Sequence, residues 1–209
     1  VMITDPEQIA VEMDKAFYMA QNGRKGPAWI DVPLDIQNMR VDPETLLRFS
    51  PPKKNDELLS KEDIQFVCQS LMSAERPVVL IGSGIRSANS AVELETFLKS
   101  SQIPVVYSAS APDVYGLDNP LSIGSVGIMG STRAGNFALQ NSDLLLVLGC
   151  RLSSMIAGAD PDKFARKAKV IVVDIDKVEH AKGTVNIDHL IHSDLKVFLS
   201  EVNEVEINS

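Results

Sequence analysis

Four short runs in this chain are apolar without interruption: Val78 to Ile81, Pro104 to Tyr107, Leu144 to Leu148 and Val170 to Val173. A strand with one wet face alternates apolar and polar residues. A strand covered on both faces does not need to, and such runs are the mark of a parallel sheet with helices on each side. The segments between them agree. Ser60, facing Asp63 at capping distance, opens a helix with Ile64, Val67, Cys68, Leu71 and Met72 on one face. Further helices are expected over Ala91 to Lys99, Thr132 to Gln140, Asp162 to Lys167 and Asp194 to Val202, the last with Leu195, Phe198, Leu199 and Val202 as its stripe. A short strand is expected at Val185 to Ile187. The spacing predicts a doubly wound α/β domain of about five or six mainly parallel strands.

Upstream the chain reads differently. Thr4 and Glu7 stand as a capping box around Pro6, and Ile9, Met13, Ala16, Phe17 and Ala20 follow at helical spacing up to Asn22-Gly23. GPAWIDVPLD, Gly26 to Asp35, then reads as a buried strand stopped by Pro33. No second helix is expected after it. From Val41 to Asn55 no period is sustained, and Pro43, Pro51, Pro52 and the pair Lys53-Lys54 suggest an extended linker. The expected organisation is a helix–strand remnant of another domain over 1–40, a linker over 41–59 and a whole domain over 60–209. That is the pattern of a piece of a longer protein.

Composition narrows the function classes. A net charge of −8 argues against a nucleic-acid partner, since phosphate binding needs clustered Lys and Arg. The longest apolar run, from Leu144, has strand length, so no membrane association is expected. Cys68 and Cys150 are too few and too distant for a disulfide framework or a zinc motif, which fits a cytoplasmic protein.

In a doubly wound sheet, ligands lie off the carboxyl ends of the strands. Gly82-Ser83-Gly84 follows the first strand, where glycines and a helix start suit a phosphate. The full dinucleotide fingerprint is absent because residue 87 is serine, and a tight ligand-free turn needs glycine equally. The stretch Ser108 to Ser131 is expected to be one long loop, with Gly127, Ile128, Met129 and Gly130 leading into a helix; loops of that length are more often functional than idle. Arg151, three residues past an apolar run, suits either a phosphate or a loop carboxylate. Asp174, Ile175 and Asp176 close the next run, where a carboxylate takes ribose hydroxyls or caps a turn. His180, His189 and His192 read as ordinary surface histidines, and Cys150 as a packed thiol. No nucleophile, base and acid occur as a set, so the chain alone is not expected to be catalytic.

GPAWIDVPLDIQ resembles the closing strand of the first, pyrimidine-binding domain of thiamine-diphosphate enzymes of the acetolactate synthase and pyruvate decarboxylase superfamily. RPVVLIGSGIR, the block GIMGSTRAGNFALQNSDLLLVLGCRLS, AKVIVVDID and IHSDLKVFL resemble their middle domain, in the same order. The resemblance implies a Rossmann-like central domain that in some members holds FAD or ADP. Contacts would fall on Gly82 to Gly84, Gly127 to Gly130, Arg151, Asp174 to Asp176 and Asp194. Flavin-binding members carry charged residues after the arginine, whereas this chain has Leu152 to Met155, and Met129 stands where a histidine is common. Both departures remove polar partners and point to an empty or ADP-like site.

The activating glutamate of the parent would precede Val1, and the GDG motif that holds Mg²⁺ and the diphosphate would follow Ser209. The parent would decarboxylate a 2-oxo acid and pass the product to an acceptor. The expected partners of this chain are the remaining domains of that parent, and the expected state alone is a monomer or weak dimer. Two alternatives keep the fold: a non-catalytic packing module, and a sirtuin-like nucleotide-dependent enzyme. The latter lacks its catalytic histidine loop and zinc cysteines here.

Overall fold

The computed structural model describes residues 1–52 and 59–205. Two compact units divide at Asp56 and Glu57. Residues 53–58 of the expected linker lie outside the described residues.

The first unit holds α1 (Ile9–Gln21) and a four-residue α2 (Leu34–Gln37). Sequence spacing suggests Thr4 as the first cap, but the structure uses Asp5. Its carboxylate accepts the Glu7 N–H at 3.0 Å and opens a 3-10 turn, Pro6–Gln8, that runs into α1. The expected buried strand over Gly26 to Asp35 is not formed. One parallel bridge joins Met2 to Asp31, and Trp29 is 83% exposed. Only Val1 to Ile3 lies alongside among the described residues: Ile3 N–H donates to the Asp31 carbonyl at 2.9 Å and Asp31 N–H to that of Val1 at 2.8 Å. A strand needs neighbours along its length, and this segment has one rung. Pro33 then starts α2, where no helix was expected. Arg48 pairs with Asp14 of α1 at 3.4 Å, and Phe49 packs against Tyr18 with ring centroids 5.4 Å apart.

The second unit is a single parallel sheet in the order β3-β2-β1-β4-β5-β6. Its strands are β1 (Pro77–Ile81), β2 (Val105–Ser108), β3 (Ser122–Val126), β4 (Leu144–Leu148), β5 (Lys169–Asp174) and β6 (His189–His192). The longer helices are α3 (Lys61–Ser73), α5 (Ala91–Ser101), α7 (Arg133–Asn141) and α10 (Leu195–Asn203). Single turns form α4 (Gly84–Ser87), α6 (Pro112–Tyr115), α8 (Ser154–Ala157) and α9 (Lys177–His180). Successive strand residues point to opposite faces. Val79, Ile81, Leu144, Leu146 and Leu148 therefore meet α3, α5 and α10, while Val78, Leu80, Leu145 and Val147 meet Leu139 of α7 and Phe164. Both faces are dry, as the continuous apolar runs require. The expected Ser60 cap is present, accepting the Asp63 N–H at 3.0 Å. Among the described residues no helix is long and apolar enough to cross a membrane.

Three expectations fail here. The loop from Ser108 to Ser131 contains α6 and the edge strand β3. SIGSV hides as a strand because Gly and Ser carry little β-propensity, and its pairing with β2 slips register between Val105 and Val106. The helix expected over Asp162 to Lys167 is a 3-10 turn, Pro161–Lys163, ended where Ala165 takes φ 43°. The strand expected at Val185 to Ile187 starts later, at His189. The Asp188 carboxylate accepts the Val170 N–H at 2.7 Å, and pairing with β5 begins at the next residue, while Val185 packs against the core.

Candidate functional site

The strand order reverses across β1 and β4, so the carboxyl edge there is where an open α/β sheet takes a ligand. Because every strand is parallel, this edge gathers the segments after β1, β3, β4, β5 and β6. The candidate contacts Gly82 to Gly84, Gly127 to Gly130, Arg151, Asp174 to Asp176 and Asp194 lie along it.

After β1 the chain turns at once against the end of β4. Gly82 N–H donates to the Leu148 carbonyl and Gly84 N–H to the Gly149 carbonyl, each at 3.0 Å. A Cβ on Gly82 would stand 2.6 Å from Cys150 Cα, and one on Gly84 2.6 Å from Gly149 Cα. These glycines are required by the closure of two backbone segments on each other. Ser83 is the N-cap residue of α4, without a side-chain capping bond.

After β3, Asn136 of α7 clamps Gly127. Its Oδ1 accepts the Gly127 N–H, and its amide donates to the Gly127 carbonyl, both at 3.0 Å. Thr132 caps α7 by accepting the Gly135 N–H at 3.0 Å, and Ser125 Oγ donates to the Gly130 carbonyl at 2.8 Å. The loop is thus held from within, and Ile128 and Met129 project outward at 59% and 66% exposure. A shallow groove of about 270 Å³ runs between Gly127, Asn136, Leu139, Ile156, Gly158 and Phe164.

After β4, Cys150 is buried, and burial pushes its thiol up to about 12, which leaves it inert at neutral pH. The Arg151 guanidinium is exposed and has no hydrogen bond or ion pair among the described residues. At the end of β5, Asp174 is buried; its Oδ1 accepts the Asp176 N–H at 2.9 Å, and Oδ2 lies 3.2 Å from His180 Nε2. Asp176 caps α9 by accepting the Glu179 N–H at 3.0 Å. The Ile175 carbonyl accepts from His192 Nε2 at 2.9 Å. Asp194 caps α10, accepting the Lys196 N–H at 2.8 Å.

Sequence reasoning missed two residues here. Asn136 carried a weak signal, its place in the first turn of a helix that opens from a glycine loop. His180 carried none until the α9 turn was known. The surface reading fails for His180, whose side chain is buried, while His189 and His192 are partly exposed. The His180 side chain is 2% exposed, and His189 Nε2 sits 2.7 Å from Asp63 Oδ1, tying α3 to β6.

The family model for the central domain of thiamine pyrophosphate enzymes matches residues 64–202. The chain belongs to that family. It is 34% identical over 203 residues to a probable acetolactate synthase large subunit of Methanococcus aeolicus, covering 93% of this chain and 33% of the relative. It is 34% identical over 176 residues to the acetolactate synthase isozyme 1 large subunit of Escherichia coli K12, 84% of this chain and 30% of that one. To the chloroplastic acetolactate synthase of Arabidopsis thaliana it is 31% identical over 212 residues, 98% and 30% of the two chains. The chain therefore spans about a third of the length of these relatives.

No three His, Cys, Asp or Glu side chains converge on a metal position among the described residues. The segments where a nucleotide would be expected are bonded within the chain. The β1–β4 crevice is closed by backbone hydrogen bonds, Gly127 is clamped, and Asp174, Asp176 and Asp194 accept from their own chain.

Proposed function

We propose that this chain is the central domain of an acetolactate synthase-like thiamine-diphosphate enzyme and serves there as a scaffold with no catalytic group of its own. In such a parent, thiamine diphosphate with Mg²⁺ supplies 2-oxo acid decarboxylation and carboligation or acyl transfer. Residues 1–40 are read as the closing helix and extended segment of the pyrimidine-binding domain, 41–59 as a linker and 60–209 as the central domain. The partners are the other domains of the same enzyme. One observation carries the scaffold reading: along the carboxyl edge, Gly84, Gly127, Asp174, Asp176 and Asp194 all spend hydrogen-bonding capacity on their own chain.

The test is thermal unfolding of the chain with FAD, ADP, NAD and thiamine diphosphate added in turn. A ligand at ~100 times its dissociation constant adds about 2.7 kcal/mol, roughly 5–10 °C at this size. The scaffold reading expects no shift with any of them.

A second reading, favoured by the exposed and uncommitted Arg151, is an ADP-like ligand held through its phosphates. It expects a shift with ADP that disappears in Arg151→Ala.

A further inference from the structure

Where an open α/β sheet binds a dinucleotide, a strand-end carboxylate accepts hydrogen bonds from the ribose hydroxyls. Asp174 stands at such a place, at the end of β5. Its surroundings are already filled. Asp176 fixes the single turn α9 by accepting the Glu179 N–H at 3.0 Å. That turn places His180, its last residue, over Asp174, with Nε2 3.2 Å from Oδ2 and the side chain 2% exposed. The other oxygen, Oδ1, accepts the Asp176 N–H at 2.9 Å.

The imidazole is close to the carboxylate without being fully aligned on it, and Nε2 makes no complete hydrogen bond. Beside it lies a cavity of about 10 Å³ lined by Leu152, Glu179, His180, Thr184, Val185 and Ile187. That is about the room one water needs to complete the bonding of a buried polar group. It has no room for a sugar ring.

We propose that His180 is the built-in occupant of the position a nucleotide ribose would take, so that the chain completes its own carboxyl edge and excludes nucleosides from Asp174. The proposal rests on the scaffold reading above and assigns the residue that enforces it. It also gives a physical role to a buried histidine that otherwise has only a cost, since a buried polar ring must be partnered.

The experiment uses the whole chain and three variants, His180→Ala, His180→Gln and Asp174→Asn. His180→Ala is expected to lower the Tm by about 3–8 °C by leaving a buried carboxylate oxygen without its neighbour. Added imidazole is expected to restore part of that loss, and sodium chloride at equal ionic strength none. His180→Gln, which keeps a donor, is expected to lose less. Long-range ¹H–¹⁵N spectra of the unaltered protein are expected to show the proton on Nε2, a reading that does not depend on any variant folding.

An unprotonated Nε2, or a His180→Ala melt equal to that of the unaltered chain, overturns the proposal and leaves the scaffold reading intact. An ADP-induced shift that survives in Asp174→Asn sinks the scaffold reading while His180 keeps its role. An ADP-induced shift lost in Asp174→Asn overturns both.

Discussion

The two units of this chain answer the same burial problem differently. In the first, Ile3, Ala10 and Ile36 are the buried apolar residues among those described, while Phe17, Met19, Trp29, Leu34 and Leu47 are more than half exposed. In the second, strands β1, β4 and β5 are almost wholly buried, and Phe97, Phe198, Leu80 and Leu146 are inaccessible. Apolar content is not what separates them. Among the described residues the second unit has six strands, each with a neighbour, and helices for both faces, while the first has one helix of more than a turn and one bridge between extended segments. A helical stripe such as Met13 and Phe17 is buried only when another layer exists to receive it.

The largest expected difference comes from truncating each unit's aromatic side chains. Phe198→Ala, in the core of the second unit, is expected to cost about 3–5 kcal/mol in urea unfolding. Trp29→Ala in the first is expected to change stability by less than about 0.5 kcal/mol, as exposed substitutions do. Equal effects would break the comparison. Trp29 is also the single tryptophan of the chain, so its emission should be solvent-like and readily quenched by acrylamide before any unfolding begins.

Backbone closure comes next. Gly82→Ala places a methyl 2.6 Å from Cys150 Cα, and the adjoining strand ends must part. Overpacking of this kind costs ~1–3 kcal/mol, with a lower urea midpoint and an unchanged slope. The equivalent change at Gly26, which has open space around it, is expected to be near neutral.

Removing the α3 cap with Ser60→Ala is a smaller test, about 1 kcal/mol by thermal unfolding. A last test reads pH dependence, with Asp143→Asn. Burial alone would raise the Asp143 carboxyl, but the N–H groups of Glu75 and Arg76, at 2.8 and 2.9 Å, hold it below the usual carboxylate range. The unfolded chain then binds this proton more readily than the folded one. The contribution is present above the unfolded value near ~3.9 and is lost as pH falls through the folded one. Asp143→Asn should flatten the acid limb of stability against pH.

The same contrast explains what sequence could disclose. β4 and β5 are legible because LLLVL and VIVV are apolar on both faces, α3 because its stripe and cap coincide, and α10 because of its stripe. β3 is not, since SIGSV is an edge strand whose pairing is decided by β2. Gly26 to Asp35 failed in the opposite sense. Its residues favour a strand, but strand formation needs partners that propensity does not encode. Parallel topology sets Gly82, Gly127, Arg151, Asp174 and Asp194 along one edge of the sheet. The groups that close on Gly84, Gly127 and Asp174 are Gly149, Asn136 and His180, which arrive from elsewhere in the sheet or a turn away.

The most direct measurement is amide hydrogen exchange of the whole chain, with and without saturating FAD or ADP, at residues 82–84, 127–130, 174–176 and 194–196. The account predicts unchanged protection at all four segments, because their hydrogen bonds are made within the chain. Added protection at 82–84 and 174–176 with either nucleotide would contradict it and make this edge a ligand site.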